Sequence, residues 1–167
     1  MGDGRTYSFA ISIEPQFHDP VEGRLERLRI RFAGFGPRVQ EYLAALERDD
    51  QIICSAMEWV PLEKVYSGRV VLVGDAAHAS SPMLGQGGCM AMEDACVLAE
   101  ELRSGATIEA ALASFAKRRK PRVEWVQQQS VAVTQMQALP TGKRIVALRE
   151  SGDRVTQARF AALVAAP

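Results

Sequence analysis

An α+β fold is predicted by three observations on this chain of 167 residues. Near the start, Tyr7, Phe9, Ile11 and Ile13 alternate with Thr6, Ser8, Ala10 and Ser12, the period of a strand with one buried face. An unbroken apolar run, Val70-Val71-Leu72-Val73, stops at Gly74-Asp75 and reads as a buried strand. From Met90 onward the apolar residues recur at helical spacing.

Each element follows in order. The alternating segment is the first strand of an antiparallel sheet. Pro15, Asp19-Pro20 and Gly23 mark a turn, and Leu25, Leu28 and Phe32 predict a short helix ending near Gly34. A second helix follows Gly36-Pro37, with Val39, Tyr42, Leu43 and Leu46 as its inner stripe. Ile52 to Trp59 is expected to return as a strand, closed by Pro61, and Glu63 to Gly68 forms a tight surface connection. After the buried strand, Ala76, Ala77, Ala79, Ser80 and Ser81 keep a loop thin, and Pro82 stiffens it before Gly85-Gln86-Gly87-Gly88. The helix that follows carries Met90, Asp94, Val97, Leu98 and Leu102 inward and stops at Ser104-Gly105. Thr107 caps the next helix, whose Ile108, Ala111, Leu112 and Phe115 line one side up to a basic turn, Lys117-Arg118-Arg119-Lys120-Pro121. A third helix spans Arg122 to Leu139, Pro140-Thr141-Gly142 breaks it, and an amphipathic helix is expected from Lys143 to Ala166, using Ile145, Leu148, Val155, Phe160 and Leu163.

Composition sets broad bounds. With 47% hydrophobic and 24% charged residues, the chain has the make-up of one ordinary soluble core. A formal net charge of zero gives no electrostatic footprint for nucleic acid or an acidic membrane surface, and no apolar run has membrane length. Cys54, Cys89 and Cys96 are odd in number and lack C-x-x-C spacing, which suits the reducing cytoplasm. His18 and His78 are too far apart in sequence to suggest a metal site, so none is expected.

The informative stretch is Gly68 to Asp94, GRVVLVGDAAHASSPMLGQGGCMAMED. A strand ends at Asp75, small residues thin the loop, and a helix begins at the glycines, so its unpaired N–H groups face the same space as the Asp75 carboxylate. That combination serves a ligand presenting a hydroxyl to a carboxylate and partial negative charge to a helix start. The pattern GD-x-x-H-x-x-x-P-x-x-G-Q-G, followed by Ala91 and Asp94, resembles the second FAD-binding motif of the FAD-dependent aromatic hydroxylases, the para-hydroxybenzoate hydroxylase superfamily. LGQGGCMAMEDA is especially similar to the salicylate hydroxylase, urate hydroxylase and zeaxanthin epoxidase branches.

The resemblance implies part of an FAD-linked reductase-type fold: antiparallel substrate-domain strands, a buried FAD-domain strand and C-terminal helices. Its boundaries would be 1–66 for the end of the substrate domain, 67–104 for the second FAD motif and 105–167 for the helices. The G-x-G-x-x-G turn of a dinucleotide-binding βαβ unit is absent, and so is the family's later D-G segment. Gly2-Asp3-Gly4 precedes a strand instead of following one and is not such a turn. The resemblance assigns Gly74, Asp75, Pro82, Gly85, Gln86, Gly87 and Gly88 to FAD. Asp75 would meet the ribityl chain, and the loop and helix start would face the pyrimidine edge of the flavin. Pro82, Met83 and Leu84 would lie near the reactive ring, and Tyr7, Phe9, Ile11, Cys54 and Ala56, as alternate positions on strands, would either join Met83 and Leu84 in a substrate pocket or be plain core. NAD(P)H would be the reductant, O2 the oxidant, and a small aromatic or unsaturated molecule the substrate.

Plainer roles compete at each position. Asp75 could cap its own loop, and the glycines could be only a turn. His78 lacks a recognisable nucleophile or orienting carboxylate, so a structural or loop-bonding role is expected, and Asp94 is expected to bond local backbone or a side chain. Cys89 reads as a small packed residue and the Lys117 to Lys120 run as a solvated helix end. No residue is assigned a catalytic role. Two classes stay open: part of a flavoprotein monooxygenase whose dinucleotide turn lies in a missing N-terminal segment or a partner chain, or a non-catalytic remnant that binds no FAD and acts through protein contacts or a small ligand in the vacant groove. In either, the uncovered strand is expected to be buried by that segment or by self-association.

Overall fold

The computed structural model describes residues 2, 4–105 and 107–164, and the chain divides into two compact units, one ending at Ala56 and one beginning at Met57. Asp3 and Ala166, which belong to segments interpreted above, lie outside the described residues.

In the first unit, helices α1 (Arg24–Arg31) and α2 (Pro37–Ala44) bury Leu25 and Leu43 and are followed by a 3₁₀ turn at Asp49–Gln51. Both helices lie where the spacing predicted. Polar ties supplement the small apolar core. The Asp49 carboxylate accepts the Gly23 and Leu25 N–H groups at 2.8 and 2.7 Å, satisfying donors that the start of α1 would otherwise leave open. Hydrogen bonds from those two N–H groups hold the Asp49 carboxyl below the usual carboxylate range. Asp19 accepts from Arg24 at 2.6 Å and Arg27 at 2.8 Å.

The expected strands at residues 6–13 and 52–59 are not formed; both segments lack regular structure. Alternation gives a segment two faces but no ladder partner, and a strand exists only when its N–H and C=O groups meet a neighbour. Tyr7 and Phe9 are accordingly 76% and 60% exposed.

The second unit opens with the one ladder among the described residues, in which β1 (Tyr66–Ser67) pairs antiparallel with β2 (Val70–Val71). Gly68, at φ 55°, supplies the positive φ that a two-residue hairpin turn requires. β2 is shorter than the expected Val70 to Val73 strand and is not buried: Val70 is 68% exposed and Val73 41%. A two-stranded ribbon covers neither of its faces. The expected loop after Asp75 instead forms one helical turn, α3 (Asp75–His78), followed by a 3₁₀ turn at Pro82–Leu84.

The core of this unit lies between α4 (Gly87–Ser104) and α5 (Ile108–Gln137), where Met90, Val97, Ala111, Leu112, Phe115 and Val126 are buried. A Cβ at Gly105 would sit 2.9 Å from the Ala111 methyl and the Glu101 carbonyl, so only glycine fits this corner. Thr107 caps α5 by accepting the Ala110 N–H at 3.1 Å, as predicted.

The basic turn predicted at Lys117 to Pro121 is overturned: α5 runs unbroken through Pro121. An interior proline costs about 3 kcal/mol through a lost hydrogen bond and ring contact. Here that cost is offset by packing on both sides of it, through Phe115 and Val126. The last helix, α6 (Thr141–Val164), is interrupted at Gly152, whose φ of 51° and ψ of −151° leave the helical region. Of its predicted apolar stripe, Ile145, Leu148, Val155 and Phe160 are exposed and Leu163 is half-buried.

If the α4–α5 contact is the core of the second unit, Phe115→Ala should lower its stability by about 3–5 kcal/mol. Thr107→Ala should cost about 1 kcal/mol. Urea titration followed by far-UV circular dichroism measures both, and a Phe115 loss no greater than the Thr107 loss would place the core elsewhere.

Candidate functional site

The site is built around a glycine held in an unusual conformation. At φ 58° and ψ −142°, Gly74 turns the chain from the hairpin into α3, in a region closed to side-chain-bearing residues. A Cβ there would also meet the Ala91 methyl at 3.2 Å, so the turn rests directly on α4. Asp94 holds it from below: its Oδ2 accepts the Gly74 N–H at 2.8 Å and pairs with His78 Nε2 at 2.6 Å. Its Oδ1 accepts Arg119 Nε at 2.7 Å.

These charges are enclosed. Asp94, Arg119 and His78 are 1%, 3% and 6% exposed. Arg119 also donates to Glu93 at 2.7 Å, and Glu93 is gripped by Arg122 at 2.6 and 3.1 Å. Arg122 in turn donates to the Ala162 and Leu163 carbonyls at 2.7 and 2.8 Å, satisfying acceptors near the end of α6. Burial by itself pushes the Asp94 carboxyl up, but hydrogen bonds from His78, Gly74 and Arg119 prevail and hold it below its ordinary range. Glu93 is also lowered: burial opposes, and Arg122 and Arg119 outweigh it.

Above this layer the site opens to solvent. Asp75 is exposed, and its carboxylate makes no hydrogen bond or ion pair among the described residues. Its Oδ1 lies 3.7 Å from where a Gly87 Cβ would stand, so the carboxylate and the start of α4 share one space. The first bond into α4 is Met90 N–H to the Gln86 carbonyl at 2.9 Å, and no side chain caps the helix. The N–H groups of Gly87, Gly88 and Cys89 are therefore open to a ligand. Positions for a Cβ at Gly85 and Gly88 face open space. The thin loop is fastened from behind, where Ser81 bonds Thr134 at 3.0 Å and Gln127 donates to the Val60 and Ala79 carbonyls at 3.0 and 3.2 Å.

Among the residues singled out from sequence, Asp75 and Gly87 are brought together, next to Gly85, Gln86 and Gly88. Gly74 is buried with its N–H committed to Asp94. Pro82 is exposed, while Met83 and Leu84 are half-buried in the 3₁₀ turn. Tyr7, Phe9, Ile11, Cys54 and Ala56 lie in the first unit on segments without regular structure. Burial, and then the charge of neighbouring Asp19, push the Cys54 thiol up, away from a reactive thiolate. Asp94 bonds backbone and side chains, as expected, and His78 has the expected structural role, but its side chain reaches out of its loop to α4: the orienting carboxylate that the sequence did not reveal for His78 is Asp94 itself. Arg119 corrects the solvated basic run. Its position was detectable: Leu112, Phe115, Arg119 and Val126 fall on one stripe once Pro121 is not taken as a break.

Residues 54–130 match the FAD binding domain family. An aurachin C monooxygenase/isomerase of Stigmatella aurantiaca is 38% identical over 69% of this chain and 30% of its own length. An FAD-dependent urate hydroxylase of Mycolicibacterium vanbaalenii is 39% identical over 73% of this chain and 31% of its own. For a tomato (Solanum lycopersicum) zeaxanthin epoxidase the identity is 35%, over 74% of this chain and 20% of that protein. A crystal structure of Klebsiella pneumoniae HpxO complexed with FAD and uric acid superimposes with a TM-score of 0.77 at 28% identity, over 93% of this chain and 41% of that one. The chain thus spans between a fifth and a third of the length of these curated relatives.

Replacing Asp94 by alanine would strip Arg119 and His78 of a shared partner, at an expected cost of about 3–5 kcal/mol. Because Asp94 and Glu93 titrate lower in the folded chain, their stabilisation is full above the unfolded carboxylate range and is lost as pH falls through the folded values. The urea midpoint should therefore fall progressively from about pH 4.5 downward, and Glu93→Gln should flatten that fall. An acid limb unchanged in Glu93→Gln would remove Glu93 from the account.

Proposed function

We propose, from the premise that this chain carries part of an FAD-binding monooxygenase domain related to the urate hydroxylase and zeaxanthin epoxidase branch of the para-hydroxybenzoate hydroxylase superfamily, that it forms the flavin-facing wall of a monooxygenase. The substrate class is a small aromatic or unsaturated organic molecule, with NAD(P)H as reductant and O2 as oxidant. One observation carries the reading: an exposed carboxylate without a partner among the described residues, Asp75, lies against the uncapped start of α4. The donor set fits the group, with an acceptor for a polyol hydroxyl, open N–H groups for partial negative charge, and glycines that leave room for close approach.

The redox chemistry, hydride acceptance from NAD(P)H and activation of O2 for insertion of one oxygen atom, is what the flavin supplies when bound. This chain's residues orient and polarise. Asp75 would accept a hydrogen bond from a ribityl hydroxyl. The N–H groups of Gly87, Gly88 and Cys89 would stabilise negative charge on the ring edge, by about 0.3–1 kcal/mol if solvent-exposed and more when dry. Pro82, Met83 and Leu84 form a stiff, partly apolar turn suited to excluding water from the reacting face.

Exposed Val70, Leu72, Val73 and Met92 support a second element of the proposal, that an additional FAD-binding segment or a second copy covers this unit. Alone at micromolar concentration, the chain is expected to self-associate. A monodisperse monomer in sizing with static light scattering would overturn that element.

The decisive measurement is the absorbance spectrum of the freshly purified protein, with the intact mass of every chain present. Flavin absorbance that co-purifies, and a rise in FAD Kd of about ten- to a hundredfold in Asp75→Ala, is the expected result for a lost charge-assisted hydrogen bond. A sample that stays colourless after incubation with FAD and with any co-purifying chain would instead assign the fold a non-catalytic role.

A further inference from the structure

Two aspartates of the motif occupy opposite environments, Asp94 buried and Asp75 exposed. Building on the reading that Asp75 faces the cofactor, we propose that Asp94, seated by Arg119 and shared with His78, is a positioning residue that sets the direction of the Asp75 carboxylate through the Gly74 peptide.

The geometry is specific. A helix of four residues has no stability of its own, because nucleation costs more than a single turn returns. Both ends of α3 are tied to a single atom, Asp94 Oδ2, through the Gly74 N–H at 2.8 Å and His78 Nε2 at 2.6 Å. With those ends fixed, Ala77 and His78 face inward, and Asp75 and Ala76 face solvent. Asp75 follows Gly74 directly, so the rare Gly74 conformation determines its departure angle. The Asp94 carboxylate is itself immobilised: Arg119 holds Oδ1 at 2.7 Å, and Glu93 holds Arg119 at 2.7 Å. The groups facing Asp94 are thus His78 from α3, Arg119 from α5, and the Gly74 peptide, with Glu93 and Arg122 beyond. Binding geometry of this kind depends on a supporting layer that fixes the contacting group to a fraction of an ångström.

A merely structural Asp94 would affect stability and leave the relation of Asp75 to α4 unchanged, which nuclear magnetic resonance can separate. In the ¹⁵N-labelled chain, the Gly87 amide should titrate with Asp75, because Oδ1 lies 3.7 Å from the Gly87 Cβ position. In Asp94→Asn and in the milder His78→Ala, that titration should shrink to the level of distant amides. Gly74 amide exchange should accelerate about tenfold or more, while Phe115 and Val97 signals stay in place. If Asp94→Asn does not fold, His78→Ala decides, since it leaves Asp94 with Gly74 and Arg119. An unchanged Gly87 titration in a folded variant, or none in the unmodified chain, overturns the proposal. Flavin-fluorescence quenching by FAD separates it from the cofactor reading. Weakened binding in Asp75→Ala but not in His78→Ala sinks positioning alone; a lost Gly87 titration with FAD binding unaffected by Asp75→Ala sinks the cofactor role and leaves positioning standing.

Discussion

The three hydrogen bonds accepted by Asp94 are the constraint on which the second unit depends. A carboxylate removed from water loses several kcal/mol of solvation, and that loss is tolerable only when its lone pairs are met by well-placed donors. Asp94 is met by a peptide and an imidazole from the two ends of α3 and by a guanidinium from α5. The bonds are therefore interdependent. If α5 withdrew Arg119, Asp94 would remain buried with uncompensated charge, and the corner at Gly74 would lose its anchor. The same dependence runs outward through Glu93 and Arg122 to the carbonyls of α6, so the polar layer ties together elements whose apolar contacts are modest.

Environment divides the labour between like residues. Asp94 and Asp75 have the same side chain, yet Asp94 is enclosed by donors and the Asp75 carboxylate has none among the described residues. A satisfied, buried carboxylate has nothing left to offer a ligand. An exposed one beside open helix N–H groups keeps its lone pairs available, and the field of the helix start acts on whatever it holds. His78 illustrates the same division. Enclosed and bonded to Asp94, it braces the α3 turn against α4.

Much of this was legible in the sequence, for identifiable reasons. The helices α1, α2 and α4 and the Thr107 cap follow from spacing and end signals that act locally. The juxtaposition of Asp75 with the glycine-rich helix start was legible because a strand, a thin loop and a helix in series leave few ways to fold. What was not legible depended on partners distant in sequence. Residues 6–13 have strand alternation but no ladder neighbour, and no local signal reports that. Pro121 looked like a terminator because its local preference is strong, yet packing of Phe115 and Val126 carries the helix through it. That misreading placed Arg119 on the surface and hid the partner of Asp94. The Gly74 φ was equally hidden, since glycine permits the conformation without requiring it.

The exposed apolar residues follow from the same polar design. Asp94, Arg119 and Glu93 occupy space between α3, α4 and α5 that an independent small domain would fill with hydrocarbon, while Val70, Val73, Met92 and Phe160 remain in water. At about 25 cal/mol per Å², covering even a few hundred Å² of such surface is worth several kcal/mol, comparable with the whole stability of a domain. A unit that places charge inside and hydrocarbon outside gains on both counts when another surface closes over it: the apolar groups leave water, and the buried ion pairs strengthen as the surrounding dielectric falls. The arrangement therefore favours a wall of a larger site over a self-sufficient domain, with Asp75 at the rim where that closing surface and a ligand would meet.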